Sequence, residues 1–107
     1  MDRSTNIEEL KELVQKFCED RQWTNFHNPK ELAIGMSAES AELLEIFRFK
    51  NEEQMQEMLK DENKKSHISE ELADVLYYVL LFSKYTGMDL TESLKNKMKL
   101  NEEHYPI

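Results

Sequence analysis

The chain has 107 residues, 14 Lys and Arg against 22 Asp and Glu, and a formal net charge of −8, which describes one small acidic domain spanning 1–107. The acidic balance argues against a nucleic acid polymer as partner, and with no apolar run longer than the eight residues of 75–82 and no apolar leader after Met1, the expectation is a cytoplasmic protein without a membrane span. A single cysteine, Cys18, excludes an internal disulfide and a thiolate-rich zinc site.

Two glycines and two prolines leave few turn signals, so helices are expected throughout. Thr5-Asn6-Ile7-Glu8 reads as a capping box ahead of Ile7, Leu10, Leu13, Val14 and Phe17 at helical spacing, which predicts a first helix over about 6–21. Trp23 to His27 breaks the pattern. Asn28-Pro29 then supplies an N-cap and a first-turn proline for a second helix over about 29–48, whose Gly35, Ser37, Ala38, Ser40 and Ala41 would let another backbone approach closely. A short helix is expected over 51–60 and a polar linker over 61–66. The next helix, about 67–85, carries Leu72, Val75, Leu76, Val79 and Leu80 on one face and further apolar residues around it, as expected of a helix buried on most sides. Gly87 suits its C-terminal cap, and Asp89-Leu90-Thr91-Glu92 reads as a second capping box opening a last helix over about 90–103. The expectation is an all-α bundle that self-associates as a dimer or a dimer of dimers to cover its surplus apolar surface.

Most of the acids fall on solvated faces, but four interrupt apolar or small-residue faces. Glu39 and Glu42 are spaced i, i+3 on the second helix, and Glu71 and Asp74 repeat that spacing on the fourth, giving ExxE, a gap of 28 residues, then ExxD. Asp74 lies between Ala73 and Val75 on the most apolar helix, where an unpaired buried carboxylate would be costly, so a cation is expected beside it. Leu72 to Ser83 contains no Lys or Arg, nor does the second helix between Leu32 and Phe47. Oxygen ligands from two helices with no His or Cys among them suit a hard divalent ion, Mg²⁺ or Mn²⁺. The Glu-x-x-His of di-iron bundles is absent. The bland reading is an acidic helix face on a non-catalytic oligomerisation module.

Neighbouring residues extend the pattern. Tyr78 stands at i+4 from Asp74, and Phe49 stands seven residues after Glu42, on the same side if the helix reaches that far. Lys97 and Asn101 continue the stripe of Leu90 and Leu94 on the last helix, where a cation and an amide could meet phosphate and base. Trp23, on composition alone, reads as a core anchor, and His67 and Cys18 as structural.

These residues resemble the all-α nucleoside triphosphate pyrophosphohydrolases of the MazG-like family. The similarity includes Trp23-x-x-Phe26-His27-x-Pro29, Glu39-x-x-Glu42-Leu43-x-Glu45-Ile46-Phe47, Glu70-Glu71-Leu72-x-Asp74-Val75-Leu76-x-Tyr78, and Lys97-Met98-x-x-Asn101 with Tyr105-Pro106, and is strongest toward the dCTP pyrophosphatase branch. The resemblance implies an oligomeric four-helix core with active sites near subunit interfaces. It implies cleavage of a nucleoside triphosphate between its α and β phosphates, with dCTP or a modified dCTP as the first substrate expectation and a broad (d)NTP range as the alternative. By the same resemblance Glu39, Glu42, Glu71 and Asp74 would hold Mg²⁺, Lys97 would stabilise phosphate charge, and Trp23, His27, Phe49, Tyr78 and Asn101 would form the base pocket. The chain departs from that branch at Phe49, where Trp is frequent, at Val14, where His is frequent, and at Glu102 and Glu103, where the pattern is basic.

Overall fold

A computed structural model describes all of residues 1–107. It contains α1 (Ile7–Asp20), one 3-10 turn (Trp23–Phe26), α2 (Pro29–Phe47), α3 (Glu52–Lys60), α4 (Glu62–Thr86) and α5 (Leu90–His104), and no strand. Each α-helix starts at an Asn or Asp whose side chain accepts from an otherwise unpaired amide. Asn28 Oδ1 accepts from Glu31 N at 2.8 Å ahead of Pro29, and Asp89 Oδ1 accepts from Glu92 N at 2.8 Å. At α1 the cap is Asn6, accepting from Glu9 N at 2.8 Å, rather than Thr5, whose own amide is committed to the Met1 carbonyl at 3.0 Å.

The expected linker over 61–66 is instead helix. Asp61 ends α3 and simultaneously caps α4, accepting from the amides of Asn63 and Lys64, so α4 begins at Glu62. Gly87, at φ 73°, closes α4 in the left-handed conformation expected of it. Past that turn, Lys11 Nζ donates to the Met88 carbonyl at 3.3 Å, and the Ser83 hydroxyl donates to the same oxygen. This ties the end of α4 to α1.

The core is formed by α1, α2 and α4. Cys18, Leu32 and Leu81 are fully buried together, with Val14, Tyr77, Tyr78 and Phe82 packed around them. Cys18 Sγ and Tyr77 Oη are hydrogen-bonded at 3.0 Å. Contacts between α2 and α4 are the most extensive, α1 packs on α4, and α3 touches α4. α5 makes no comparable packing, and the radius of gyration is 16.5 Å against about 13 Å for a compact chain of this length. Burial of α4 on most sides is not found within one chain, because Leu72 is 57% and Leu76 45% exposed. No helix is long and apolar enough to cross a membrane.

Candidate active site

The close pairing of α2 with α4 brings the two acid pairs face to face. One carboxylate oxygen from each of Glu39, Glu42 and Glu71 lies within 4.8 Å of the others. Asp74, one turn after Glu71, adds its charge to both Glu39 and Glu71. None of the ion pairs of the chain reaches these four residues.

The sequence singles out Asp74 as the buried acid, and the structure shifts that role. Asp74 is exposed at the cavity edge, while Glu39 and Glu71 are half-buried and each leaves one oxygen, Oε2, buried without a hydrogen-bond partner. Helical phase explains the difference: Glu39 and Glu71 look across the α2–α4 contact, whereas Asp74 has turned toward its rim. Burial first, and then the Glu42 carboxylate and the Asp74 charge, hold the carboxyls of Glu39 and Glu71 above their ordinary values. Two orphaned buried oxygens within a ring of mutually repelling carboxylates are what a cation would relieve, and an all-oxygen donor set suits a hard divalent ion. The residues present therefore fit such an ion.

A cavity of about 890 Å³ opens from this cluster along α2 toward the 3-10 turn. Glu39 and Asp74 border one end. The other end is apolar, bounded by Leu13 and Phe17 of α1 and by Trp23 and Phe26, with His27 and Glu31 as its polar residues. Trp23 meets Phe17 edge to face, ring centroids 5.6 Å apart, and is 45% exposed, so it walls the cavity instead of anchoring the core. Burial holds the His27 imidazole below its ordinary value, which leaves it neutral at pH 7.

Tyr78 joins the two ends. Its ring packs against Gly35, where a Cβ would overlap the ring, so the small-residue stripe of α2 admits this side chain at that point. Burial, then the charges of Glu39 and Asp74, push the Tyr78 phenol upward, so it stays protonated and able to donate a hydrogen bond.

Thus Glu39, Asp74, Trp23, His27 and Tyr78 share one cavity, with Glu42 and Glu71 completing its acidic end. Phe49, Lys97 and Asn101 are not brought there within one chain. α2 stops at Phe47, short of the turn needed to align Phe49 with Glu42, and Phe49 is 80% exposed with the Arg48 guanidinium 4.7 Å from its ring centre. Lys97 and Asn101 ride on α5, which stands away from the cavity. Sequence reasoning passed over Leu13, Phe17 and Glu31 as cavity residues. The first two have the same i, i+4 apolar spacing as a core face, and no local signal separates the two roles.

An all-α fold with paired acids on two facing helices defines the class, and the comparisons narrow it. The model of the MazG-like family matches residues 34–107, and the chain belongs to that family. It is 29% identical to dCTP pyrophosphatase 1 of Mus musculus over 101 residues and to dCTP pyrophosphatase 1 of Homo sapiens over 100 residues, each covering 94% of this chain. The chain spans 59% of the length of these curated relatives. A crystal structure of a pyrophosphatase from Archaeoglobus fulgidus superposes with a TM-score of 0.85 at 40% identity, covering 94% of this chain and 92% of that one.

Proposed function

We propose that this protein hydrolyses a nucleoside triphosphate between its α and β phosphates, releasing the monophosphate and pyrophosphate, with dCTP or a modified dCTP as the preferred substrate. The observation that carries this reading is the ring of Glu39, Glu42 and Glu71 with its two orphaned oxygens, set at the mouth of an aromatic cavity. Glu39, Glu42, Glu71 and Asp74 would hold Mg²⁺, with Mn²⁺ as a substitute. When bound, the ion supplies Lewis-acid neutralisation of phosphate charge and lowers the pKa of water. Glu39 or Glu42 accepts the proton of the water that attacks the α-phosphorus, and pyrophosphate leaves. Tyr78 donates a hydrogen bond at the junction, while Trp23 offers a face on which a planar base stacks. The names of the mouse and human relatives support the choice of dCTP, and the reading includes a cytoplasmic location.

The same reading extends to assembly. A compact monomer of this mass exposes about 6,300 Å², whereas the isolated chain exposes 8726 Å². That surplus exceeds the roughly 800 Å² that each partner buries in a standard interface. The free α5 and the exposed Leu72 and Leu76 point to a homodimer or homotetramer, in which Lys97 and Asn101 of one chain complete the phosphate and base contacts of another.

Ion-exchange analysis of products from each common NTP and dNTP with Mg²⁺ tests this function. Wild type should yield monophosphate and pyrophosphate, and Asp74→Asn should yield neither. Survival of every triphosphate, with 5-methyl-dCTP added to the panel and with Mn²⁺ as well, would overturn the hydrolase reading.

A further inference from the structure

The acid ring accounts for Glu39 and Asp74 among the three carboxylates that line the cavity, but not for Glu31. This residue lines the far, apolar end, eight residues and about 12 Å of helix rise before Glu39 on α2. Glu31 and Glu39 thereby stand toward opposite ends of the cavity, one by its aromatic walls and one at the acid ring. Glu31 takes part in no ion pair, and no Lys or Arg lines the cavity to neutralise it. An ionised carboxylate is an acceptor only, so it distinguishes base edges that carry N–H donors from those that carry oxygens.

We propose that Glu31 is a specificity-determining residue whose carboxylate accepts a hydrogen bond from the exocyclic amino group of the substrate base, which rests on the hydrolase reading above. Cytosine, adenine and guanine each present such a group. Uracil and thymine carry no amino group, and their ring N–H lies between two carbonyl oxygens, so approach to a carboxylate sets oxygen against oxygen. The aromatic walls hold any base by stacking and make little choice among them. Glu31 makes the choice between bases that carry an amino group and those that do not.

The cleanest probe is the pair dCTP and dUTP, which share sugar and phosphates and differ only along one base edge, an amino group beside a bare ring nitrogen in cytosine against a carbonyl beside a ring N–H in uracil. Steady-state kcat/KM is measured for both with wild type, Glu31→Gln and Glu31→Ala, alongside calorimetric binding of dCMP and dUMP to the same three proteins. Glu31 sits in the exposed first turn of α2, where either substitution should leave the fold intact. Wild type should favour dCTP, and Glu31→Gln, whose amide can turn either group toward the base, should shrink the dCTP-to-dUTP ratio by about tenfold. The monophosphate binding ratio should shrink in parallel. Equal ratios in all three proteins would overturn the assignment of Glu31 while leaving the hydrolase reading intact. A Glu31-dependent preference for dCMP without any triphosphate cleavage would uphold Glu31 as the base reader and remove the hydrolase reading.

Discussion

Glu39 and Glu71 are the acids that the fold leaves most poorly served, each with one buried carboxylate oxygen that has no hydrogen-bond partner. Their carboxyls stand above the unfolded value of 4.5, so without a cation they contribute stability only while protonated. That contribution is full below pH 4.5 and is lost as the pH rises through their raised folded values. Replacing Glu39 by Gln should therefore raise the melting temperature of the metal-free protein at pH 8, and the gain should fade toward pH 4.5, the unfolded value. With Mg²⁺ present at pH 8 the ranking should invert, because the ion stabilises the intact ring. Thermal melts across pH, with Mg²⁺ or EDTA, check both signs, and a Glu39→Gln protein less stable than wild type in EDTA at pH 8 would contradict the electrostatics. Gly35 supplies a second residue-scale expectation. Ala normally stabilises a helix relative to Gly by about 0.5–1 kcal/mol, but here its Cβ would overlap the Tyr78 ring. Overpacking of about 1–3 kcal/mol should win, so Gly35→Ala should melt lower and raise KM as the ring moves into the cavity.

The helices themselves were largely legible, because a cap and an apolar period are local properties. Asn28-Pro29 and Gly87 serve as their spacing suggests, and Asp89 caps α5 through the Glu92 amide without the reciprocal bond of the expected capping box, which instead forms between Asn51 and Gln54. The stretch 61–66 was not, since it has no apolar residue to set a period, and its helicity rests on Asp61 serving two helix ends at once. Asp61→Ala should thus cost about 1 kcal/mol, read as a lower midpoint in urea, with the helical signal of α4 fraying at 62–66. The acid pairs were legible as pairs, since i, i+3 spacing fixes a common face. Which acid is buried was not, because that depends on the crossing of α2 with α4, and the structure gives the orphaned oxygens to Glu39 and Glu71 rather than to Asp74. The apolar wall of Leu13 and Phe17 escaped for the same reason: a helix shows its apolar face in sequence, but only tertiary packing decides whether that face meets core or cavity.

At the scale of the whole molecule, the single chain is extended, with a free α5 beside a three-helix core, and the proposed assembly would cover that surface. Sedimentation equilibrium should return a multiple of the 12.8 kDa chain mass, and Leu72→Arg with Leu76→Arg should reduce it toward one chain. Activity should fall with assembly if α5 of one copy serves the cavity of another. The central claim, that the α2–α4 acid ring is a metal-dependent catalytic centre, is tested most directly by pyrophosphate release from dCTP in wild type and Glu39→Gln, each with Mg²⁺ and with EDTA. Wild type with Mg²⁺ should turn over, and either EDTA or the substitution should lower the rate by at least about 100-fold. Turnover that persists in EDTA, or that Glu39→Gln leaves unchanged, would contradict it.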